Sequence, residues 1–339
     1  MRKSRLPTMW DVAKRAGVTQ ATVSHVINGT APISEKVRKR VIEAIDELGY
    51  VPNAVARSLK QNKTNTLGLL IPDVQSGYYS EMTKAVEENA RKKGYITFLC
   101  NTSYNQQLEE LYINNLLQQH VAGIILGYGL LNEKALFKIR NSRTPVLIID
   151  GSGQFGDIHI PSVEVDNHKG SRLVVEYLHS IGIRRDIGFI SEPLQHSALQ
   201  RRYEGFINSL KHFGYSINDD LFNIEIKQYD KIKMGYNAVE RILRKGRPRA
   251  IFVTADQVAL GVIKRLKELK VKIPEEVAVI GYDDVPLATV VTPRLTTVSQ
   301  PIYSMAQQGL NMILKIIEGK TVENDRVLLQ PTLVVRESA

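Results

Sequence analysis

Apolar positions along this chain fall into two regimes. Over residues 8–48 they recur at helical spacing in three short stretches; from about residue 65, brief unbroken apolar runs alternate with longer amphipathic ones. The first stretch, TMWDVAKRAGVTQATVSHVIN at residues 8–28, opens with Thr8, a side-chain oxygen suited to capping a helix, ahead of an apolar stripe of Val12, Ala13 and Ala16. Gly17 breaks the pattern, Val18 fills the elbow, and Thr19 caps a second helix on which Val23 and Val26 face inward. Two short helices joined by a glycine-containing turn predict a helix-turn-helix, whose second helix is built to lie in a DNA major groove. Gln20, Ala21, Thr22, Ser24, His25 and Asn28 are left on its outer face as short polar groups, hydrogen-bonding tips and one methyl. An ordinary pair of surface helices is the alternative reading, and what surrounds the segment argues against it.

A third helix is predicted from a capping pattern at Ser34 and Glu35 to Leu48, with Val37, Val41, Ile42, Ile45 and Leu48 as its core stripe and Gly49 as its end. Pro52 then stops any earlier helix, and Asn53 can cap a short one over about residues 53–60. A helix of that length is unstable alone and orders only when packed or bound. Leu59, an apolar side chain on a basic mini-helix, is a natural wedge for a minor-groove base step; a plain linker is the alternative.

The second regime is an α/β pattern. TLGLLIP, YITFLC, VAGIIL and PVLIID alternate with helical stretches, and DIGFIS, FNIEIK, RAIFVT and VAVIGY form a second such series. Short buried runs between amphipathic helices predict parallel sheets with helices on both faces. The split falls between residues 150 and 162, which predicts two similar lobes: one of about residues 65–161 and 292–322, the other of about 162–291 and 323–339. The helix from Ile302 to Ile317 is expected to pack back on the first lobe. Ligands of open parallel sheets bind beyond the carboxyl ends of the strands, here in the cleft between the lobes. Tyr78 and Tyr79 sit beyond the first strand and offer ring faces and hydroxyls to a sugar or base, and Asp150 ends the fourth run.

Charge sharpens the division. Residues 1–65 hold twelve basic and five acidic residues, +7 of the +10 carried by all 339 residues. A basic head on a nearly neutral body is the footprint of a phosphate-binding module. The single cysteine, Cys100, excludes an intramolecular disulfide and fits a reducing cytosol. MRKSRLP is followed by no apolar h-region, so no signal peptide is expected, and VAGIILGYGLL is too short to span a bilayer, so no membrane partner is either. Residues 151–156, GSGQFG, match a dinucleotide fingerprint, but DIHIPSVEVD follows where a helix must open, so a flexible crossover loop is expected. The seven histidines form no HExxH or His/Cys cluster, and there is no G-x-S-x-G elbow or P-loop. Neither an enzyme nor a metal or other cofactor is expected.

From TMWDVAKRAGVTQATVSHVIN through AVARSLKQNKTNTLGLLIPD to a C-terminal TLVVRES, the chain resembles the LacI/GalR family of bacterial transcription regulators, its SHVIN ending being most like the purine repressor branch. Many relatives carry Arg at the position of His25. The resemblance implies a small all-α helix-turn-helix head over residues 1–60, and over residues 61–339 an α/β two-lobed, periplasmic-binding-protein-like body with parallel sheets that binds effector and dimerises. It implies that Thr8, Trp10, Thr19, Asn53, Leu59 and Lys60 join the outer face of the second helix in binding DNA. In the body, Arg202 and Asp283 align with family residues that hold the effector, while Arg201 is expected to be solvated. Where relatives often carry Asn this chain has Ala255, leaving Asp256 as the nearby polar group, and Tyr229 is a further stacking candidate. The expected function is a cytoplasmic, nucleoid-associated repressor, a homodimer on palindromic operator DNA, controlled by a sugar or sugar phosphate. The alternatives are a purine-responsive corepressed regulator and a catabolite-control regulator whose effector is a partner protein.

Overall fold

The computed structural model describes residues 6–51, 64–127, 133–194, 197–217, 221–226 and 230–339. The expected hinge helix, with Asn53, Leu59 and Lys60, and Tyr229 lie outside these residues. The chain forms two compact units, residues 1–64 and 65–339.

The head contains α1 (Met9–Ala16), α2 (Gln20–Asn28) and α3 (Glu35–Leu48). Thr8 and Asp11 form a reciprocal capping box: the Thr8 N–H donates to Asp11 Oδ2 at 2.8 Å and the Asp11 N–H to Thr8 Oγ1 at 3.4 Å. Thr19 caps α2 by accepting the Thr22 N–H at 3.2 Å. Gly17 takes φ 66° at the elbow, a conformation that costs residues with a Cβ. Val12, Ala13, Ala16, Val23, Val26, Val41, Ala44 and Tyr50 make the core. Two expectations for α3 change. Ser34 makes no side-chain cap bond, and Ile42 is 46% exposed, because the buried stripe runs through Val41 and Ala44 and Ile42 lies about 100° around the helix from Val41.

The body holds two six-stranded sheets. The first has the order β13-β7-β4-β3-β1-β2, all parallel, from β1 (Thr66–Ile71), β2 (Ile96–Asn101), β3 (Gly123–Leu126), β4 (Val146–Ile149), β7 (Ser162–Val165) and β13 (Arg326–Leu329). The second has the order β14-β12-β11-β10-β8-β9, from β8 (Ile187–Ser191), β9 (Leu221–Glu225), β10 (Ala250–Val253), β11 (Ala278–Asp283), β12 (Thr296–Ser299) and β14 (Thr332–Val334). Only β14 is antiparallel to its neighbour in that sheet. Helices α4 (Gly77–Lys92), α5 (Gln106–Gln118) and α6 (Glu133–Asn141) follow strands of the first sheet. With the second run α7 (Asn167–Ser180), α8 (Ser197–His212), α9 (Lys231–Lys245), α10 (Asp256–Glu268) and the short α11 (Leu287–Val290). The last helix, α12 (Ile302–Ile317), buries Met305, Ala306, Leu310 and Ile313 in the first lobe's core beside Leu67, Leu69 and Ile71.

The crossings between lobes fall elsewhere than expected. β7 and β13 belong to the first sheet although residues 162–291 and 323–339 were assigned to the second lobe, and β12 belongs to the second sheet although 292–322 were assigned to the first. These strands are four residues long, and their sheet is chosen by distant partners such as Ile148↔Ser162 and Ile280↔Thr296, which no local pattern encodes. GSGQFG is not a loose crossover: its second half enters a small hairpin of β5 (Gln154–Phe155) and β6 (Ile158–His159), turned at Gly156 with φ 57°.

Helices α9 and α10 approach backbone to backbone. A Cβ on Gly235 would stand 1.9 Å from the Val258 carbonyl oxygen, and one on Gly261 1.9 Å from that of Ile232. Gly261→Ala is therefore expected to destabilise the body by about 1–3 kcal/mol in urea unfolding, despite the better helix propensity of alanine. An unchanged midpoint would show that the helices separate freely.

Candidate functional site

On the head, α2 leaves Gln20 and Ala21 exposed and Thr22, Ser24, His25 and Asn28 half-buried. Its polar groups are partly spoken for. Asn28 Nδ2 donates to the Ser24 carbonyl at 2.8 Å and to Ser24 Oγ at 3.2 Å, so these two side chains act as a unit. His25 Nδ1 shares a 2.8 Å hydrogen bond with Thr30 Oγ1, which fixes the ring and leaves Nε2 as the edge available to a base. Thr8 Oγ1 donates to Asp11 at 2.6 Å, so its hydroxyl is engaged in the α1 cap. Trp10 is 53% exposed, with Lys14 Nζ 5.2 Å from its ring centre. Lys36, Lys39 and Arg40 are exposed along α3.

In the body, side chains from both lobes converge on one cleft with a volume of about 70 Å³. Tyr78, Tyr79 and Asp150 enter from the first lobe, Arg202 and Asp283 from the second. Tyr78 is buried and Tyr79 half-buried, their rings edge to face at 5.2 Å. Asp150 follows β4 directly with φ 65°, and Asp283 ends β11 with φ 123°. Two non-glycine residues at positive φ, both turning a carboxylate into one cleft, are the kind of strain that functional sites hold.

Arg202 is 4% exposed and stacked 3.7 Å over the Tyr282 ring. Its Nε donates to Asn167 Oδ1 and its Nη1 to the Thr254 carbonyl, each at 2.7 Å, and Nη1 lies 3.9 Å from Asp283 Oδ1. Gln300 Nε2 donates to the same Asp283 oxygen at 2.7 Å. Burial pushes the Asp150 carboxyl up to about 6 and the Asp283 carboxyl up to about 7, with Arg202 opposing both shifts. Burial, with Asp150 and Asp283 nearby, also raises Tyr78. The Tyr78 hydroxyl and Asp150 Oδ1 feel one another's charge, yet neither makes a well-formed hydrogen bond among the described residues.

Two expectations are revised. Asp256 is fully buried under the cleft floor, where it accepts from Thr297 Oγ1 at 2.5 Å and from the Val285 N–H at 3.0 Å; it ties α10 to β12 and the loop after β11, and its neighbours Ala255 and Gln257 face the cleft instead. Arg201 is not solvated: it meets Glu164 Oε2 at 2.5 Å, and Arg326 holds the other oxygen of this 1%-exposed carboxylate at 2.9 Å. Sequence reasoning also missed the cluster of Lys231, Glu192 and Tyr104. Lys231 is 7% exposed, ion-paired with Glu192, and 3.3 Å from the Tyr104 hydroxyl across the cleft. Its only signal was a lysine directly after a capping aspartate, Asp230. Among the described residues no group of His, Cys, Asp and Glu has the arrangement of a metal site, and no helix is long and apolar enough to cross a membrane.

Comparisons place this geometry. The pattern for bacterial regulatory proteins of the lacI family matches residues 8–53, and that of a periplasmic binding protein-like domain matches residues 175–339. Catabolite control protein A of Priestia megaterium is 34% identical over 98% of each chain, and the HTH-type transcriptional repressor PurR of Pasteurella multocida (strain Pm70) is 32% identical over 98% of each. The lac repressor dimer bound to operator and the anti-inducer ONPF superposes with a TM-score of 0.85 at 26% identity, covering 98% of this chain and 99% of that one. The regulator CelR in complex with cellobiose superposes at 0.72 with 28% identity, covering 98% and 100%. With a helix-turn-helix head, a two-lobed parallel-sheet body and relatives that are regulators rather than enzymes along their whole length, the chain belongs to the LacI family of bacterial DNA-binding transcription regulators.

Proposed function

We propose that the protein represses transcription as a homodimer on palindromic operator DNA, at the nucleoid, and that a sugar in the interlobe cleft sets its affinity for the operator. The observation that carries this reading is the convergence of Arg202 and Asp283 from one lobe with Asp150 and Tyr78 from the other on a single cleft. Carboxylates, a planar guanidinium and tyrosine rings suit the adjacent hydroxyls and apolar faces of a sugar ring. The lac repressor and CelR complexes support the operator, the dimer and the sugar by analogy. Residues 1–60 serve as the DNA-binding part with residues 53–60 as hinge, and residues 61–339 as the effector and dimerisation part. Effector shifts a population of lobe arrangements in proportion to its difference in affinity between them. A second reading, a purine effector, draws on the PurR relative and on the edge-to-face Tyr78–Tyr79 pair. Calorimetric titration with a panel of sugars and purines separates the two: micromolar hypoxanthine binding with no response to any sugar would reverse their order.

Base reading is assigned to Gln20, Ala21 and His25. His25→Ala is expected to weaken cognate sites by roughly 1–3 kcal/mol per lost base contact and to relax preference at one base pair per half-site. Equal weakening on random DNA would assign His25 to phosphate instead.

The raised carboxyls give the cleft a pH dependence of definite sign. Asp150 at about 6 and Asp283 at about 7 hold protons in the folded body that the unfolded chain, with carboxyls near pKa 4, releases. The folded state therefore binds more protons across about pH 4 to 7, and these groups' contribution to stability falls as pH rises through that window. Effector hydroxyls donating to both carboxylates favour the ionised forms. Effector affinity is then expected to rise with pH over the upper part of the same window, with proton release on binding. Calorimetry in two buffers of different ionisation enthalpy reads that release, and proton uptake would contradict the assignment.

A further inference from the structure

The sugar reading leaves open whether the effector carries charge, and the cleft's own inventory of donors and acceptors decides it. Its cations are Arg202 and Lys231; its carboxylates are Asp150, Asp283 and Glu192. Lys231 is already matched by Glu192 and reaches the Tyr104 hydroxyl. Arg202 spends Nε on Asn167 and Nη1 on the Thr254 carbonyl, and its charge faces Asp283. Asp150 Oδ1 and Gln257 Oε1 are acceptors with no close hydrogen-bond partner among the described residues, and the Tyr78 hydroxyl, a donor as well as an acceptor, has none either.

Resting on the sugar reading, we infer that the effector is a hydroxyl-rich molecule without negative charge, that an ammonium group in place of a ring hydroxyl is accepted, and that phosphorylated sugars are rejected. Lys231 faces Glu192 and Arg202 faces Asp283, while Asp150 has no ion pair among the described residues, so a phosphate entering this cleft meets an unmatched carboxylate, and like charges brought together in a desolvated site are a strong device of exclusion. An ammonium or hydroxyl supplies the donors that Asp150 and Gln257 lack.

The test is calorimetric titration of the full-length protein near neutral pH with matched sets: glucose, glucosamine, glucose 6-phosphate and the neutral ester glucose 6-acetate; the same four for galactose; and inosine with its 5′-monophosphate. The expected result is that whichever parent binds, its phosphate binds at least about tenfold more weakly, while the amine and the acetate remain close to the parent. Asp150→Asn is expected to narrow the gap between parent and phosphate. A phosphate that binds as well as its parent overturns the inference, and so does an acetate rejected as firmly as the phosphate, since exclusion would then be steric. If inosine alone binds, the sugar reading falls and the inosine pair still decides the charge rule. If no member binds at about millimolar concentration, both fall.

Discussion

A body lacking residues 1–64 is expected to lose operator binding altogether while keeping its fold and its ligand. Residues 1–65 carry +7 of the chain's +10, and the exposed lysines and arginine of α3 accompany the exposed face of α2. Binding built on six to ten phosphate contacts loses roughly 10³–10⁵ in affinity between low and moderate salt even when every contact is present, so removing the contacts outright leaves nothing measurable. The body has independent hydrophobic cores in each lobe, and every described cleft group belongs to it. Fluorescence anisotropy on labelled operator, paired with calorimetry on the truncated protein, makes the check. Retardation of operator DNA by the truncated body at moderate salt would refute the division of labour.

Arg202→Ala carries the other large effect. The guanidinium has a 5%-exposed side chain, faces Asp283 and holds Asn167 Oδ1, an oxygen that also accepts from the Tyr282 hydroxyl at 3.2 Å. Removing one partner of a buried charge cluster costs about 3–5 kcal/mol, because the carboxylates left behind are uncompensated. The variant is expected to lose that much stability in denaturant unfolding and to bind operator without responding to effector. The double variant Arg202→Ala, Asp283→Asn separates charge from packing: it should recover part of the lost stability but none of the response. A double variant no more stable than the single one would mean that lost stacking on Tyr282, not stranded charge, governs the site.

What was legible in the chain and what was not divides along range in sequence. Thr8, Gly17 and Thr19 announce the head because a cap or an elbow is settled within four residues. The alternation of apolar runs and amphipathic helices announces the body for the same reason. Asp150 was legible from its place at the end of an apolar run, whereas Arg202 and Asp283 were found through likeness to a family, and their positions on α8 and at the end of β11 make that likeness physically sensible. Asp256 was misplaced because its partners, Thr297 and Val285, lie 41 and 29 residues away. Arg201 was misjudged because Glu164 belongs to a strand of the other lobe. Lys231 went unseen because the tyrosine it reaches is 127 residues distant. Ile42 shows a subtler limit: periodicity admits two overlapping stripes on α3, and only packing against α1 and α2 chooses between them.

The chain passes between the lobes three times, after β7, after β12 and between β13 and β14, so neither lobe is a continuous stretch of sequence. This sets a schedule for birth at the ribosome. The head can close its small core once residue 50 has emerged, while the first lobe waits for α12 and β13, which come only after β8 to β12 of the second lobe. Until then β7 lacks its outer neighbour, and the helix that covers Leu67, Leu69 and Ile71 has not been made. A nascent chain therefore holds its helix-turn-helix before it holds a complete effector cleft, and until α12 is made the core face of the first sheet lacks the helix that covers it.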